Sequence, residues 1–345
     1  MADDAAQSLQ QVVPLCDRVR CTDWMELDQA LRGSNGLYGR TAGFFPALFL
    51  SSDQRKKQVS LEKQIQIDKD VTKHMGELKR QFEDGTLIPD EQYNMDESHF
   101  VIDLDDGKTL DFVGAQSVKY WSIVSGREGI TTCVLLKGGS DARILCPMLI
   151  FKNKASSYPM QNIPGKISGV CYRTSSSAFI NGRLMCEWLR ESRCWGPGGP
   201  FASSRVLWMD NASGHCGNGA EDTGRELRTK VKLFPANATD KVQPADRFPI
   251  QRIKENWCRL AERRNMEAIR NGDWKTGASS SGKLANPGKI FFLKLAAECI
   301  RLVNLEKDKD GDNWAKKAMV QCGLDVPRDD WAAQPRDAAS GRCLS

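Results

Sequence analysis

The chain holds only three histidines (His74, His99 and His215), no Cys-x-x-Cys pair and no His-Glu-x-x-His motif. These absences exclude zinc-finger spacing and the helical zinc-protease signature. Long apolar runs are missing as well. The most apolar early run, Ala42 to Leu50, is interrupted by Pro46 and is nine residues long, whereas a membrane-spanning helix needs about 20. The N-terminal MADDAAQSLQQ is acidic and polar, unlike a secretory signal. Neither charge sign dominates, with 49 Lys and Arg against 44 Asp and Glu, and with 40% hydrophobic and 27% charged residues the composition is ordinary for a globular protein, against a disordered tail, a fibre or a coiled coil. No repeat is evident. The 345 residues suit one large domain or two modest ones.

Cysteine, by contrast, is plentiful. The 12 cysteines are scattered, which reads as reduced, packed thiols of an intracellular protein, because disulfide frameworks belong to small secreted chains. The sequons Asn211-Ala-Ser213 and Asn237-Ala-Thr239 then carry no glycan.

Periodicity predicts a helix over Ser60–Glu83 from Leu61, Ile65, Met75, Leu78 and Phe82. A short helix is expected at Asp23–Leu31, followed by a glycine-rich loop from Gly33 to Gly43. After Pro89, β-rich runs follow at Phe100–Leu104, Ser117–Val124, Ile130–Leu136 and Ile144–Phe151, separated by Asp-Asp-Gly, Ser-Gly and Gly-Gly-Ser turns, so an antiparallel meander is expected. Residues 152–175 read as a loop, Ser177–Glu191 as a helix burying Phe179, Leu184, Trp188 and Leu189, and Gly196–Pro200 as a hinge or tip. Then come an apolar run ending in an acid (Val206–Asp210), a helix at Glu221–Thr229, a strand at Val231–Phe234 and one long helix at Val242–Ile269. A Gly/Ser linker at 277–283 leads to helices at Ile290–Asn304 and Trp314–Cys322. The order describes an α/β layout in which an antiparallel meander enters a mixed sheet.

Three aspartates occupy informative places. Asp96 lies in Tyr93-Asn-Met-Asp-Glu-Ser98, at the expected start of the first strand. Asp210 ends an apolar run, and Asp246 lies in Val242-Gln-Pro-Ala-Asp246, near the expected start of the long helix. Strand ends and helix starts are where an α/β sheet exposes functional groups. Hard Mg²⁺ or Mn²⁺ prefers carboxylate oxygens. Two such ions about 3.5–4 Å apart both activate a nucleophile and stabilise a leaving 3′ oxygen. Carboxylates brought together without cations repel one another and hold their protons more tightly.

Five ordered blocks carry a family resemblance: Tyr93–Ser98, Pro147-Met-Leu-Ile-Phe-Lys152, Phe179–Leu189, Leu207–His215 and Phe234–Asp246. The chain resembles the DDE superfamily endonuclease domain of pogo-like transposases in the Tc/mariner group, which also includes domesticated centromere-binding and jerky-like proteins. The resemblance runs from about 90 to 260. It implies an RNase H-like mixed sheet flanked by helices, with helical N- and C-terminal extensions. It also implies a catalytic, metal-binding triad of Asp96, Asp210 and Asp246 holding two Mg²⁺ or Mn²⁺ ions. Asn211 and His215 would neighbour the second acid, while Asn237, Thr239 and Gln243-Pro244 would shape the turn that delivers the third. Ser98-His99, Ala236, Ala238 and Arg247-Phe248 depart from the family's usual residues. The domains expected are 1–88, a mostly helical remnant or linker; 89–270, the nuclease; and 271–345, a helical extension. Family members usually carry helix-turn-helix units before the nuclease, and none is recognisable here, which suggests a truncated element or a trimmed gene model.

Residues 225–270 concentrate 12 Lys and Arg against six acids. Arg247, Arg252, Lys254, Arg259 and Arg263 are the expected phosphate contacts. Two motifs are set aside. Glu306–Asp312 resembles half of a calcium loop, but position 12 is Lys317. Gly214–Gly219 is not a dinucleotide fingerprint. The expectation is a metal-dependent DNA endonuclease and strand transferase acting in the nucleus, with DNA as partner, a homodimer allowed, and no membrane or small-molecule cofactor. The rival is a domesticated, non-catalytic nucleic-acid-binding protein.

Overall fold

Strand β1, Gln92–Phe100, alternates polar and apolar side chains from Gln92 to Asp96, and there both sets are buried. A strand of this kind must be covered on both faces and must satisfy its polar side chains internally. The computed structural model describes residues 60–100, 129–196, 204–211, 219–274 and 283–327. The readings at Asp23–Leu31, Gly33–Gly43 and Ser117–Val124, along with His215 and most of the 277–283 linker, lie outside them.

Six further strands complete a mixed sheet: β2 Ile130–Lys137, β3 Arg143–Ile144, β4 Met148–Lys152, β5 Cys171–Ser175, β6 Arg205–Met209 and β7 Thr229–Leu233. The order is β5-β4-β2-β1-β6-β7, with β3 beside β2. Within that run β2 is antiparallel to both β4 and β1. β6 and β7 continue the sheet parallel to β1. An antiparallel meander extended on the side of its first strand by parallel strands is the RNase H-like arrangement. β5 adds a parallel strand beyond β4.

Helices cover both faces. They are α1 Leu61–Glu83, α2 Gly182–Arg190, α3 Ala220–Glu226, α4 Thr239–Val242, α5 Pro244–Arg247, α6 Pro249–Arg270, α7 Lys289–Leu305 and α8 Trp314–Gln321. One core gathers Phe100, Val134, Leu149 and Trp208 from the sheet with Leu78, Ile253, Trp257, Phe292 and Met319 from α1, α6, α7 and α8. The other gathers Met95, Leu135, Ile150, Leu207 and Met209 with Leu184, Trp188 and Leu189 of α2. Successive β1 residues thus serve opposite cores, as the two-residue strand period requires. α1 is fastened by the His74 ring, edge-on to Trp208 and Phe234, and by the Asp68–Lys241 ion pair.

Several expectations are corrected. The first strand begins at Gln92, not Phe100, so Asp96 sits in its middle. Buried amides and hydroxyls at Gln92, Asn94 and Ser98 disguise it as polar loop. Within 152–175, β5 is a strand. Its buried Arg173 is satisfied by Glu187 and Glu191, both 3.0 Å away, and its Thr174 by the Ser157 carbonyl. α2 starts at Gly182, capped by Asn181, whose side-chain oxygen accepts from Leu184 N–H. The chain before it passes through Ala178 at φ 64°, and Phe179 is left 54% exposed. The long helix expected from Val242 is three helices, because Pro244 and Pro249 each start a new one. Each proline forces its predecessor out of the α region. On α1, Leu61 and Ile65 face solvent and Ile67 is buried instead.

Candidate active site

The β1–β6 register builds the site. Asn94 lies opposite Trp208 in this parallel pair. Two residues further on, the same face carries Asp96 on β1 and Asp210 immediately after β6. Adjacent strands run about 4.8 Å apart, so these two acids emerge side by side, on the face covered by α5 and α6.

Asp246 is delivered by two amides. Asn94 is fully buried; its Nδ2 donates to the Trp208 carbonyl at 3.1 Å, and its Oδ1 accepts from Ala245 N–H at 2.9 Å. Gln243, 1% exposed, donates to the Met95 carbonyl and accepts from Asn94, both at 3.4 Å. It also hydrogen-bonds the Asp96 side chain. Gln243 is extended, as a residue before proline must be, and α5 begins at Pro244. The third acid therefore rides on a single helical turn fastened to β1 on either side of Met95. A further bond, from Trp208 Nε1 to Gln92 Oε1 at 3.0 Å, pins β6 against β1.

The electrostatics follow from this crowding. Burial, then the Asp246 and Asp210 charges, push Asp96 up to about 7, against the Glu97 backbone N–H and the Gln243 amide, which favour its ionised form. Asp246 is raised too, chiefly by lost solvation; a hydrogen bond with Asp96 and the Lys254 ammonium oppose the rise. Asp246 as a residue is exposed.

The three acids are thus in mutual electrostatic contact. Among the described residues, however, no group of three or more His, Cys, Asp and Glu side chains is arranged to hold a metal ion. The donor set itself fits a hard divalent cation: it is all carboxylate oxygen and lies where β6 ends beside the middle of β1. An ion there would relieve the repulsion that keeps Asp96 protonated. Asn211 follows Asp210 and is exposed.

The five expected phosphate contacts are not equivalent. Lys254, exposed on α6, is in electrostatic contact with Asp246. Arg247 Nε donates to Gln321 at 3.4 Å. Arg252 pairs with Glu255 at 2.9 Å and stacks over the Trp314 ring at 4.3 Å. Arg259 donates to Asn256 at 2.6 Å, and Arg263 is exposed. Asn94, missed as a positioning residue, had a signal in the sequence: it precedes Asp96 by two, the spacing that shares a strand face.

Residues 130–301 match the DDE superfamily endonuclease family, so the chain carries a DDE superfamily endonuclease domain. The match includes Asp210 and Asp246 and begins after Asp96. A search of curated proteins found no match. Solved structures similar to the chain include the Mos1 transposase paired-end complex with left transposon end, at 11% identity and TM-score 0.44, covering 94% of this chain and 76% of that one. Another is the Mos1 mariner paired end complex with Mn, at 10% identity and TM-score 0.43, covering 77% and 61%. The catalytic domain of Mos1 mariner transposase follows at 11% and 0.39, covering 77% and 91%. The strand order and directions, not these likenesses, define the fold. Among the described residues no helix is long and apolar enough to cross a membrane.

Proposed function

We propose that the chain is a metal-dependent DNA endonuclease and strand transferase of transposase descent, acting in the nucleus, with Asp96, Asp210 and Asp246 as its metal-holding acids. The observation that supports this reading best is the β1–β6 register, which sets Asp96 beside Asp210 on one face, with Asp246 bonded to Asp96. A bound pair of Mg²⁺ or Mn²⁺ ions would supply an activated nucleophile and charge stabilisation at the departing 3′ oxygen. The chain's own part is placement. Asn94 and Gln243 fix the distance from β1 to α5, Asp96 gives up its proton when the site is charged by cations, and Lys254 offers a cation for a phosphate beside Asp246. Hydrolysis frees a 3′-OH, which then attacks a phosphodiester of target DNA.

The test is nicking of supercoiled plasmid with Mn²⁺ by the wild type and Asp210→Asn. Nicking by the wild type and its loss in the variant are expected. Nicking that survives Asp210→Asn contradicts the assignment. Salt-sensitive DNA retention without nicking at any metal concentration would instead leave a binding protein using the basic residues of 225–270.

A further inference from the structure

On the sheet face opposite the acids, three cysteines from three segments meet. Cys146 precedes β4, Cys171 opens β5, and Cys194 lies in the turn after α2. The Cys171 and Cys194 sulfurs are 3.0 Å apart. The Cys194 thiol donates to the Cys146 carbonyl at 3.3 Å, which brings the Cys194 sulfur against Cys146, and the Cys146 thiol donates to the Pro147 carbonyl at 3.7 Å. All three are free thiols; Cys171 and Cys194 are fully buried, and Cys146 keeps some exposure. Beside them Arg193, partly exposed, donates to the Ile167 and Val170 carbonyls and pairs with Glu191 at 3.2 Å.

Packing alone does not require sulfur in such contact, since a methyl group fills the same space without reactive chemistry. The arrangement holds a partly exposed sulfur within reach of two buried thiols and near a guanidinium. Those are the elements of a cysteine that reacts with an oxidant and is then resolved by a neighbour. The neighbouring Cys171 and Cys194 side chains, helped by the Arg193 charge and opposed by burial, lower the Cys146 thiol from its ordinary value.

We propose that Cys146, Cys171 and Cys194 form an oxidation site in which Cys146 reacts with a hydroperoxide and Cys194 resolves the product into a Cys146–Cys194 disulfide. In the first step the Cys146 thiolate attacks a peroxide oxygen; the O–O bond breaks, Cys146 becomes a sulfenic acid and hydroxide takes up a proton. In the second the Cys194 sulfur attacks the sulfenyl sulfur; the S–S bond forms, the S–O bond breaks and water leaves with the thiol proton. Two thiols and one hydrogen peroxide give one disulfide and two waters. The sulfurs lose two electrons and the peroxide gains them. Cys171, in contact with Cys194, keeps the resolving sulfur oriented.

The three cysteines fall in separate tryptic peptides, 144–152, 167–173 and 194–205. The full-length protein would be treated with a few equivalents of hydrogen peroxide, alkylated, digested without reduction and mapped by mass spectrometry. A cross-link between peptides 144–152 and 194–205, reversed by dithiothreitol, is expected, while the exposed Cys258 remains alkylated. Cys146→Ser should abolish the cross-link. Cys194→Ser should leave a sulfenic acid on Cys146 that dimedone traps. Circular dichroism checks that each variant is folded, and Cys171→Ser serves as a second probe, expected to slow closure without removing the Cys146 reaction. Oxidation of Cys258 ahead of Cys146, or full alkylation of all three cysteines after peroxide, would overturn the proposal.

Discussion

Replacing Asp96 by Asn should stabilise the protein at alkaline pH, and the amount follows from the cluster. Asp96 titrates at about 7 in the fold against 3.8 when exposed. Between those values the folded state binds a proton that the unfolded chain has lost. Stability therefore falls as pH rises through this window, and the full cost is present above about 7. Each pH unit costs at most about 1.4 kcal/mol, so the ceiling is about 4 kcal/mol. Because Asp96 and Asp246 titrate under each other's charge, the cost is divided between them, and about 2–4 kcal/mol is expected for Asp96. Asn cannot ionise, yet its amide still donates to Asp246. Urea melts in EDTA at pH 5, 6.5 and 8 measure the difference. The wild type should lose stability steadily across the series relative to Asp96→Asn, with the variant ahead by about 2–4 kcal/mol at pH 8. Equal slopes, or a variant no more stable than the wild type at pH 8, would refute the view that Asp96 is buried against two other acids.

Other outcomes follow from the same contacts. Asn94→Ala strips partners from the Ala245 N–H and the Trp208 carbonyl, so a loss of about 2–4 kcal/mol in urea melts is expected. Any nicking activity should fall further than the folded fraction, since Asp246 loses its anchor. Lys316 and Asp325 form an ion pair at 2.8 Å with side chains 6% and 0% exposed. Lys316→Met should cost about 3–5 kcal/mol by stranding the buried Asp325, and adding Asp325→Asn should recover part of it; a single variant as stable as the wild type would count against the burial described. Lys254→Ala should weaken DNA retention about equally across sequences and lower the salt slope by about 1, read from filter binding at several salt concentrations. In the wild type at pH 8, saturating Mn²⁺ should raise the melting temperature, and Asp210→Asn should lose that rise.

Much of this was legible in the sequence where pattern and physics coincide. Ile130–Leu136 and Val206–Met209 are apolar runs whose burial follows from composition alone, and Ile290–Asn304 is a helix whose apolar spacing marks its buried side. β1 was not, because the residues that make it special are polar. Gln92, Asn94 and Ser98 look like loop until their partners, 114 and more residues away for Trp208 and Ala245, are in place. β5 was hidden for the same reason, since the carboxylates that neutralise its Arg173 come from Glu187 of α2 and Glu191 just after it. The splitting of the helix at Val242–Ile269 was readable from Pro244 and Pro249, and apolar spacing alone outweighed them. The three acids could be picked from the sequence, but their adjacency is a matter of register, which no local pattern encodes. Phe179, grouped with Trp188 and Leu189 by spacing, lies outside because Asn181 caps the helix after it.

The pairing of Asn94 with Trp208 also bears on how this gene can change and survive. Deleting one residue from either β1 or β6 would turn its acid toward the Trp188 side of the sheet and swing an apolar neighbour out in its place. Chemistry and core would fail in a single event. Deleting two would restore the facing but pull Trp208 off Gln92 and Asn94. Lineages that lengthen or shorten this protein should therefore do so outside these two strands, because the spacing that presents the acids also seats the tryptophan.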